Sequence, residues 1–258
     1  MKTLYESILS DIDTSLEAGT ANADYLAVMS VINEDYKLYK TYKSAITIVG
    51  KAESGKVLIN GTGKIEFTNK TAKTLVNDVF EWNEIDGEFI CFKKNIESLE
   101  GFPRKVYNEN TNGCAININH CKNLKTLKGA PQSIFGGFYC IGCDSLITLE
   151  GAPEKIAGDF FCRYCDSLTT LEGAPKYLSG EFNCSGCSKL ESLEGVPNKI
   201  YGDFDCGYCK SLKSLKGLPS SIQGSLYLPK IDSLFDEIGK EIISKTRVKQ
   251  RAYVIPIK

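Results

Sequence analysis

The stretch GFYCIGCDSLITLE (Gly137–Glu150) returns three times, as GDFFCRYCDSLTTLE (Gly158–Glu172), GEFNCSGCSKLESLE (Gly180–Glu194) and GDFDCGYCKSLKSLK (Gly202–Lys216). Between the copies lie Gly129-Ala-Pro131, Gly151-Ala-Pro153, Gly173-Ala-Pro175, Gly195-Val-Pro197 and Gly217-Leu-Pro219, a beat with an unvarying period of 22 residues. A fixed period of roughly 20–50 residues marks a solenoid, because one such unit cannot bury its own apolar face and must stack on its copies. Everything outside the beat reads as a cap or an appendage.

Within a copy, Phe138 and Cys140 stand two apart and share the inward face of a short strand. Cys143 follows where the chain turns off that strand. The four C-x-x-C units also have spacing suited to zinc or an iron–sulfur cluster. The repeat favours a different role. Moving 22 residues on from Cys206 and Cys209 reaches Leu228 and Ile231, and moving back from Cys140 reaches Ile118, with Cys121 keeping the second position. A column that accepts Leu and Ile is an apolar core column, and a free cysteine packs as a small hydrophobe. The cysteines are therefore expected in the core, with no metal and no cofactor.

The frame Phe138-x-Cys140-x-x-Cys143-x-x-Leu146 resembles cysteine-containing leucine-rich repeats, and the C-x-S-L-x-x-L…P-x-x-I-x-G text is similar to the BspA-like and LEGAP-type repeats of bacterial and phage proteins. The resemblance covers about residues 88–234. It implies an α+β repeat fold: a leucine-rich-repeat solenoid with a parallel β-sheet. The chain then divides into a helical and β-rich N-terminal cap (1–87), the solenoid (88–234), and a C-terminal helical cap with a basic tail (235–258).

Outside the repeats the signals are local. KTLYESILSDIDTSLE (2–17) carries Leu4, Ile8, Ile12 and Leu16 at helical spacing, either a cap helix or a docking tag. Residues 21–43 extend this helically, and Tyr36, Tyr39 and Tyr42 among lysines read as surface or partner contacts. AITIV, KVLIN, KIEFT and GEFICF are short β-type runs separated by Gly and Asn turns. Phe89, Cys91, Ile96 and Leu99 form a copy one residue short. The interval from Gly101 to Gly129 is 28, and the surplus falls in Tyr107–Gly113, a polar loop expected to protrude. After Leu228 the repeat dissolves into a helix over 233–247 and a terminal strand or tail made basic by Lys240, Lys245, Arg247, Lys249, Arg251 and Lys258.

Catalytic signals are decoys. Gly50-Lys-Ala-Glu-Ser-Gly55-Lys56 nearly matches a phosphate-binding loop, but Val57 stands where the metal-binding hydroxyl belongs and strand-like text follows, so a hairpin turn is expected. His120 is the only histidine, and its neighbour Cys121 should face the other way. No catalytic set can be assembled.

A net charge of −1 advertises no global field for nucleic acid or an anionic membrane. No apolar run approaches the roughly 20 residues a membrane-spanning helix needs. The acids in MKTLYESILSDID do not suit a secretory signal, and eleven cysteines without one suggest a reducing, cytoplasmic compartment. Delivery into a host cytoplasm or association with a virion are the alternatives.

Function is expected on the outward columns of the Phe-x-Cys strands. One column is Asn117, Tyr139, Phe161, Asn183, Asp205 and Tyr227, and the one before it Ala115, Gly137, Asp159, Glu181, Asp203 and Ser225. Beyond the strand come His120, Tyr164, Tyr208 and Lys230, with Arg163 beside Tyr164. The aromatics Tyr139, Phe161, Tyr164, Tyr208 and Tyr227 are not needed by the core, and Asp159, Glu181 and Asp203 stack as like charges. Together with Arg163 and Asp205 they form the expected binding face for a protein partner with a basic segment. Neither nucleic acid nor membrane is expected as a partner. A non-enzymatic module of phage or bacterial origin that engages a host protein is the first reading; a decorating component of a larger assembly, attached by its N-terminal region, is the second.

Overall fold

A computed structural model describes residues 20–38, 45–108, 113–235 and 237–256. The helix expected at 2–17, Tyr39, Tyr42, and most of the Tyr107–Gly113 loop lie outside the described residues.

The chain is a parallel β-solenoid of about eight turns. Helix α1 (Thr20–Asp35) leads into β1 (Tyr36–Leu38), β2 (Ala45–Lys51), β3 (Val57–Phe67) and β4 (Phe80–Ile90). β1 and β2 pair antiparallel with β3, and β3 pairs parallel with β4. From β4 onward each turn contributes two short parallel strands instead of one. The first side carries the Pro-x-x-Ile segment, as in Ser133–Phe135 and Lys155–Ala157. The second carries the Phe-x-Cys segment, as in Gly137–Tyr139 and Phe160–Phe161. β4 is long enough to start both columns: Glu84–Asp86 pairs with Lys105–Tyr107, and Phe89–Ile90 pairs with Ile116–Asn117. The third side, Cys-x-x-Leu-x-x-Leu, is built of turns that hydrogen-bond from rung to rung, for example Leu127 N–H to Glu150 O at 3.1 Å.

The inward columns are those the repeat dictates. Phe138, Phe160, Phe182 and Phe204 are fully buried, as are the cysteines of all four C-x-x-C units and Leu146, Leu168 and Leu190. Phenylalanines on neighbouring rungs have ring centroids 5.3–5.8 Å apart. All eleven cysteines are free thiols, and only Cys114 is not fully enclosed. The second cysteine of each unit has a task beyond filling space. Its Sγ–H donates to the backbone carbonyl of a residue one rung back: Cys143 to Ile118, Cys165 to Cys140, Cys187 to Cys162 and Cys209 to Cys184, at 3.0–3.3 Å. The Ile118 and Cys184 carbonyls also accept from the Cys121 and Cys187 N–H groups, so the thiol matters most to the Cys140 and Cys162 carbonyls, where leaving a buried acceptor bare costs about 1–3 kcal/mol. Burial pushes the Cys162 and Cys206 thiols up, away from the reactive thiolate form.

Four expectations change. KVLIN and KIEFT are one strand, β3, and Gly61-Thr-Gly63 runs through it rather than turning. A Cβ on Gly87 would stand 1.8 Å from the Gly63 carbonyl oxygen, so glycine here lets two long strands approach. Tyr36 is buried, not superficial: its hydroxyl accepts a hydrogen bond from Trp82 Nε1 at 3.2 Å, within a cluster with Phe67, Phe80 and Phe89. Tyr25, Val28, Met29 and Ile32 of α1, at helical spacing, close the same core. Ala115 is buried at a bulge, and Cys114 occupies the column assigned to it, because Cys114 pairs with Gly137 and Ile116 with Phe138.

Finally, the repeat does not dissolve after Leu228. A 3-10 turn (Asp232–Phe235) and α2 (Glu237–Lys245) interrupt it. Arg247–Val248 then pairs with Ser221–Ile222, and Ala252–Ile255 with Leu226–Pro229, each 26 residues later. Arg247, Lys249 and Arg251 therefore lie on one more rung and Lys240 and Lys245 in α2, while Lys258 is outside the described residues. At the other end, Ala52–Lys56 is the expected turn between antiparallel β2 and β3, with Lys56 Nζ on Asn77 O at 2.6 Å.

Candidate functional site

The second side brings the expected site residues together, in two different structural roles. Where its outward column holds aromatics, rings on adjacent rungs stack. Tyr139 and Phe161 have centroids 4.7 Å apart at 13°, and Tyr227 lies 4.9 Å from Tyr253 at 9°. Tyr253 belongs to the additional rung, so sequence reasoning missed it; only the 26-residue last turn locates it. Partial burial, helped by nearby carboxylates, pushes the Tyr139 hydroxyl up to about 12.

Where the same column holds Asn or Asp, the side chain caps the turn that follows. Asp205 Oδ1 accepts from Gly207 N–H at 2.8 Å, and Asn117 Oδ1 accepts from Asn119 N–H at 3.2 Å. Asn183, almost fully buried, accepts from both the N–H and the hydroxyl of Ser185. Its amide donates to Glu181 Oε1 at 2.7 Å and Asp205 Oδ2 at 3.1 Å, tying two adjacent rungs together.

The acidic column is partly structural too. Asp159 Oδ1 accepts from Glu181 N–H at 2.8 Å, and Asp203 Oδ1 from Ser225 N–H at 2.7 Å, each reaching one rung forward. These bonds offset the like-charge stacking that the ladder otherwise imposes. Among the described residues none of Asp159, Glu181, Asp203 or Asp205 is in an ion pair, and Arg163 is the cation felt by Asp205. Arg163 itself lies 5.4 Å from the Tyr164 ring, and its Nε is buried without a partner.

Burial raises the carboxyl pKa of both Glu181 and Asp205, and for Glu181 the neighbouring Asp159, Asp203 and Asp205 add to it. The sign follows by linkage. A carboxyl whose folded pKa is raised favours folding only while protonated, so stability falls as pH rises from the ordinary carboxylate value through the raised one. Glu181→Gln is therefore expected to melt above wild type at neutral pH, with the gap closing below about pH 4. Equal melting at neutral pH would mean that the Asn183 hydrogen bond cancels the burial cost.

Tyr164 and Tyr208 sit at the corner beyond the strand, at φ +54° and +60°, with His120 at +59°. This corner column alternates ring and glycine: His120, Gly142, Tyr164, Gly186, Tyr208. A Cβ at Gly186 would meet the Tyr164 ring at 2.3 Å, and one at Gly142 the His120 ring at 2.6 Å. Each ring thus lies over the next rung, and Tyr164 and Tyr208 remain 48% and 44% exposed. Left-handed backbone at a non-glycine residue costs about 1–2 kcal/mol, offset here by that ring contact.

Sequence reasoning overlooked the first side. Its outward residues include Lys105, Lys155 and Lys199, all exposed, and the aromatics Phe135, Tyr177 and Tyr201, 51%, 47% and 43% exposed. The third side is also charged, and many of its charges are matched: Lys122–Asp144, Lys128–Glu150, Lys213–Glu191 and Lys216–Glu194 all join adjacent rungs. Hydrogen bonds from Lys125 and Lys73 hold the Glu97 carboxyl at about 2 there. That side is a solvated surface on which cross-rung ion pairs neutralise much of the charge.

No family model, curated protein or solved structure matches this chain.

Proposed function

We propose that this chain is a non-enzymatic interaction module, a solenoid of the leucine-rich-repeat kind, whose second side receives a basic segment of a protein partner. The observation that carries this reading is the strip of carboxylates without ion-pair partners among the described residues, set between the Tyr139–Phe161 and Tyr227–Tyr253 stacks. Half-buried aromatics supply apolar area at little entropy cost, and carboxylates held by Asn183 and by backbone N–H groups supply fixed negative charge. A lysine or arginine entering the strip would restore the ordinary ionisation of Glu181 and Asp205. The phage or bacterial origin suggested by the repeat text makes a host protein the natural partner.

The test is affinity capture from the native host with wild type and with a Tyr139/Phe161/Tyr164/Tyr208→Ala variant of verified fold. A partner recovered by wild type and lost with the variant supports the proposal. Equal recovery by both moves the interface off this side.

A further inference from the structure

We propose that the first side of the solenoid binds single-stranded nucleic acid. The net charge of −1 averages over sides of opposite sign. The second side carries Asp159, Glu181, Asp203 and Asp205 against Arg163 and, on the last rung, Arg251. The first, from Pro131 to the last rung, carries Lys155, Lys176, Lys199, Arg247 and Lys249 against Glu154 alone. Glu154 is already occupied by Lys176 at 2.9 Å. Among the described residues, Lys155, Lys199, Arg247 and Lys249 are in no ion pair, unlike the lysines paired across rungs on the third side.

The aromatics set the chemistry. Tyr201 stands beside Lys199, whose Nζ lies 4.3 Å from the ring centroid, and Tyr177 is 5.9 Å from Tyr201 on the adjacent rung. Exposed Phe135 and half-buried Tyr107 form a second group, 5.5 Å apart at 31°. These two rings border an open cavity of about 540 Å³, which Arg104, Lys105, Gln132 and Ser133 also line. Arg104 is shared with Glu81 at 2.7 Å, whereas Lys105 is in no ion pair among the described residues. The cavity thus offers a stacking wall, an ammonium group and side chains able to pair with a base edge. Farther along, exposed rings beside lysines repeat the combination, over rungs spaced ~4.8 Å apart. Single strands are bound in this manner, with bases on aromatic faces and phosphates on neighbouring cations. A duplex hides its base faces, and a flat sheet has no element to enter a groove.

The experiment uses the full chain and fluorescein-labelled oligo(U) and oligo(dT) about 12 nucleotides long, at about 50 mM salt and upward. Wild type should bind. Tyr177→Ala/Tyr201→Ala should weaken binding about 5-fold or more, the loss of one stacked base. Lys155→Gln/Lys199→Gln should flatten the slope of log affinity against log salt by about 1.4, two phosphate contacts. Lys213→Gln/Lys216→Gln, on the third side, should not flatten it. All these side chains are at least partly exposed, and thermal melting of each variant checks its fold. Absence of binding at low salt overturns the proposal, as does binding that both first-side variants leave unchanged. Equal competition by poly-glutamate of matched charge would overturn it in favour of an acidic peptide. A concentration-dependent doubling of mass that excludes the oligonucleotide would overturn it in favour of a second copy pairing its acidic side with this one.

Discussion

Phe160→Ala should destabilise the protein by about 3–5 kcal/mol, whereas Phe161→Ala should cost about 1 kcal/mol. The two residues are adjacent and chemically identical, so only the face distinguishes them. Phe160 is fully buried between Phe138 and Phe182, with centroids 5.7 and 5.3 Å away. Truncating it opens a cavity in a stack whose rungs are pinned by backbone hydrogen bonds on both sides, so collapse into the space is restricted. Phe161 faces outward and loses one ring contact, with Tyr139. Urea unfolding of both variants measures the difference. A larger loss for Phe161→Ala would invert the faces on which both binding proposals stand.

The second large effect belongs to the beat glycines. Gly173 has φ +86°, and a Cβ there would lie 2.5–2.6 Å from the backbone of Leu149 and Glu150 on the preceding rung. Gly129, Gly151, Gly195 and Gly217 repeat this geometry, which is why the beat never varies. Gly173→Ala should therefore combine about 1–2 kcal/mol of backbone strain with about 1–3 kcal/mol of overpacking. Gly55 is the matched control. Its φ is +85°, but a methyl group there would meet nothing within 4 Å, so Gly55→Ala should show the strain alone. Equal midpoints for the two variants would mean that rung spacing adjusts freely, contrary to the close-packed stack described above.

Much of this was readable from residues. The period implied stacking, and substitution of Leu228 for Cys206 in one column implied a core of thiols before any burial was known. What stayed hidden depended on partners distant in the chain or on signals too short to register. Strands such as Lys155–Ala157 bury a single isoleucine, leaving no alternation to detect. Tyr36 is buried by Trp82, 46 residues away. The last rung was masked because α2 stretches its turn from 22 residues to 26 and erases the beat. In the candidate site, the column positions were legible, but the division between stacked rings and turn-capping carboxylates was not. A sequence column records what faces outward, without recording which backbone N–H the side chain reaches.

The alternation of ring and glycine at the corner sets the step by which such a protein can be lengthened or shortened. Excising one copy, residues 165–186, would seat Tyr208 directly after Tyr164, placing a side chain where the Tyr164 ring leaves room for hydrogen alone. Excising two, residues 165–208, would instead place Lys230 after Tyr164, as it now follows Tyr208, and bring Tyr227 next to Phe161 as another aromatic neighbour. Backbone pairing repeats every 22 residues, but from His120 to Tyr208 the side-chain fit at the corner repeats every second rung. Removing two turns from this stretch therefore keeps a corner packing that removing one would disturb.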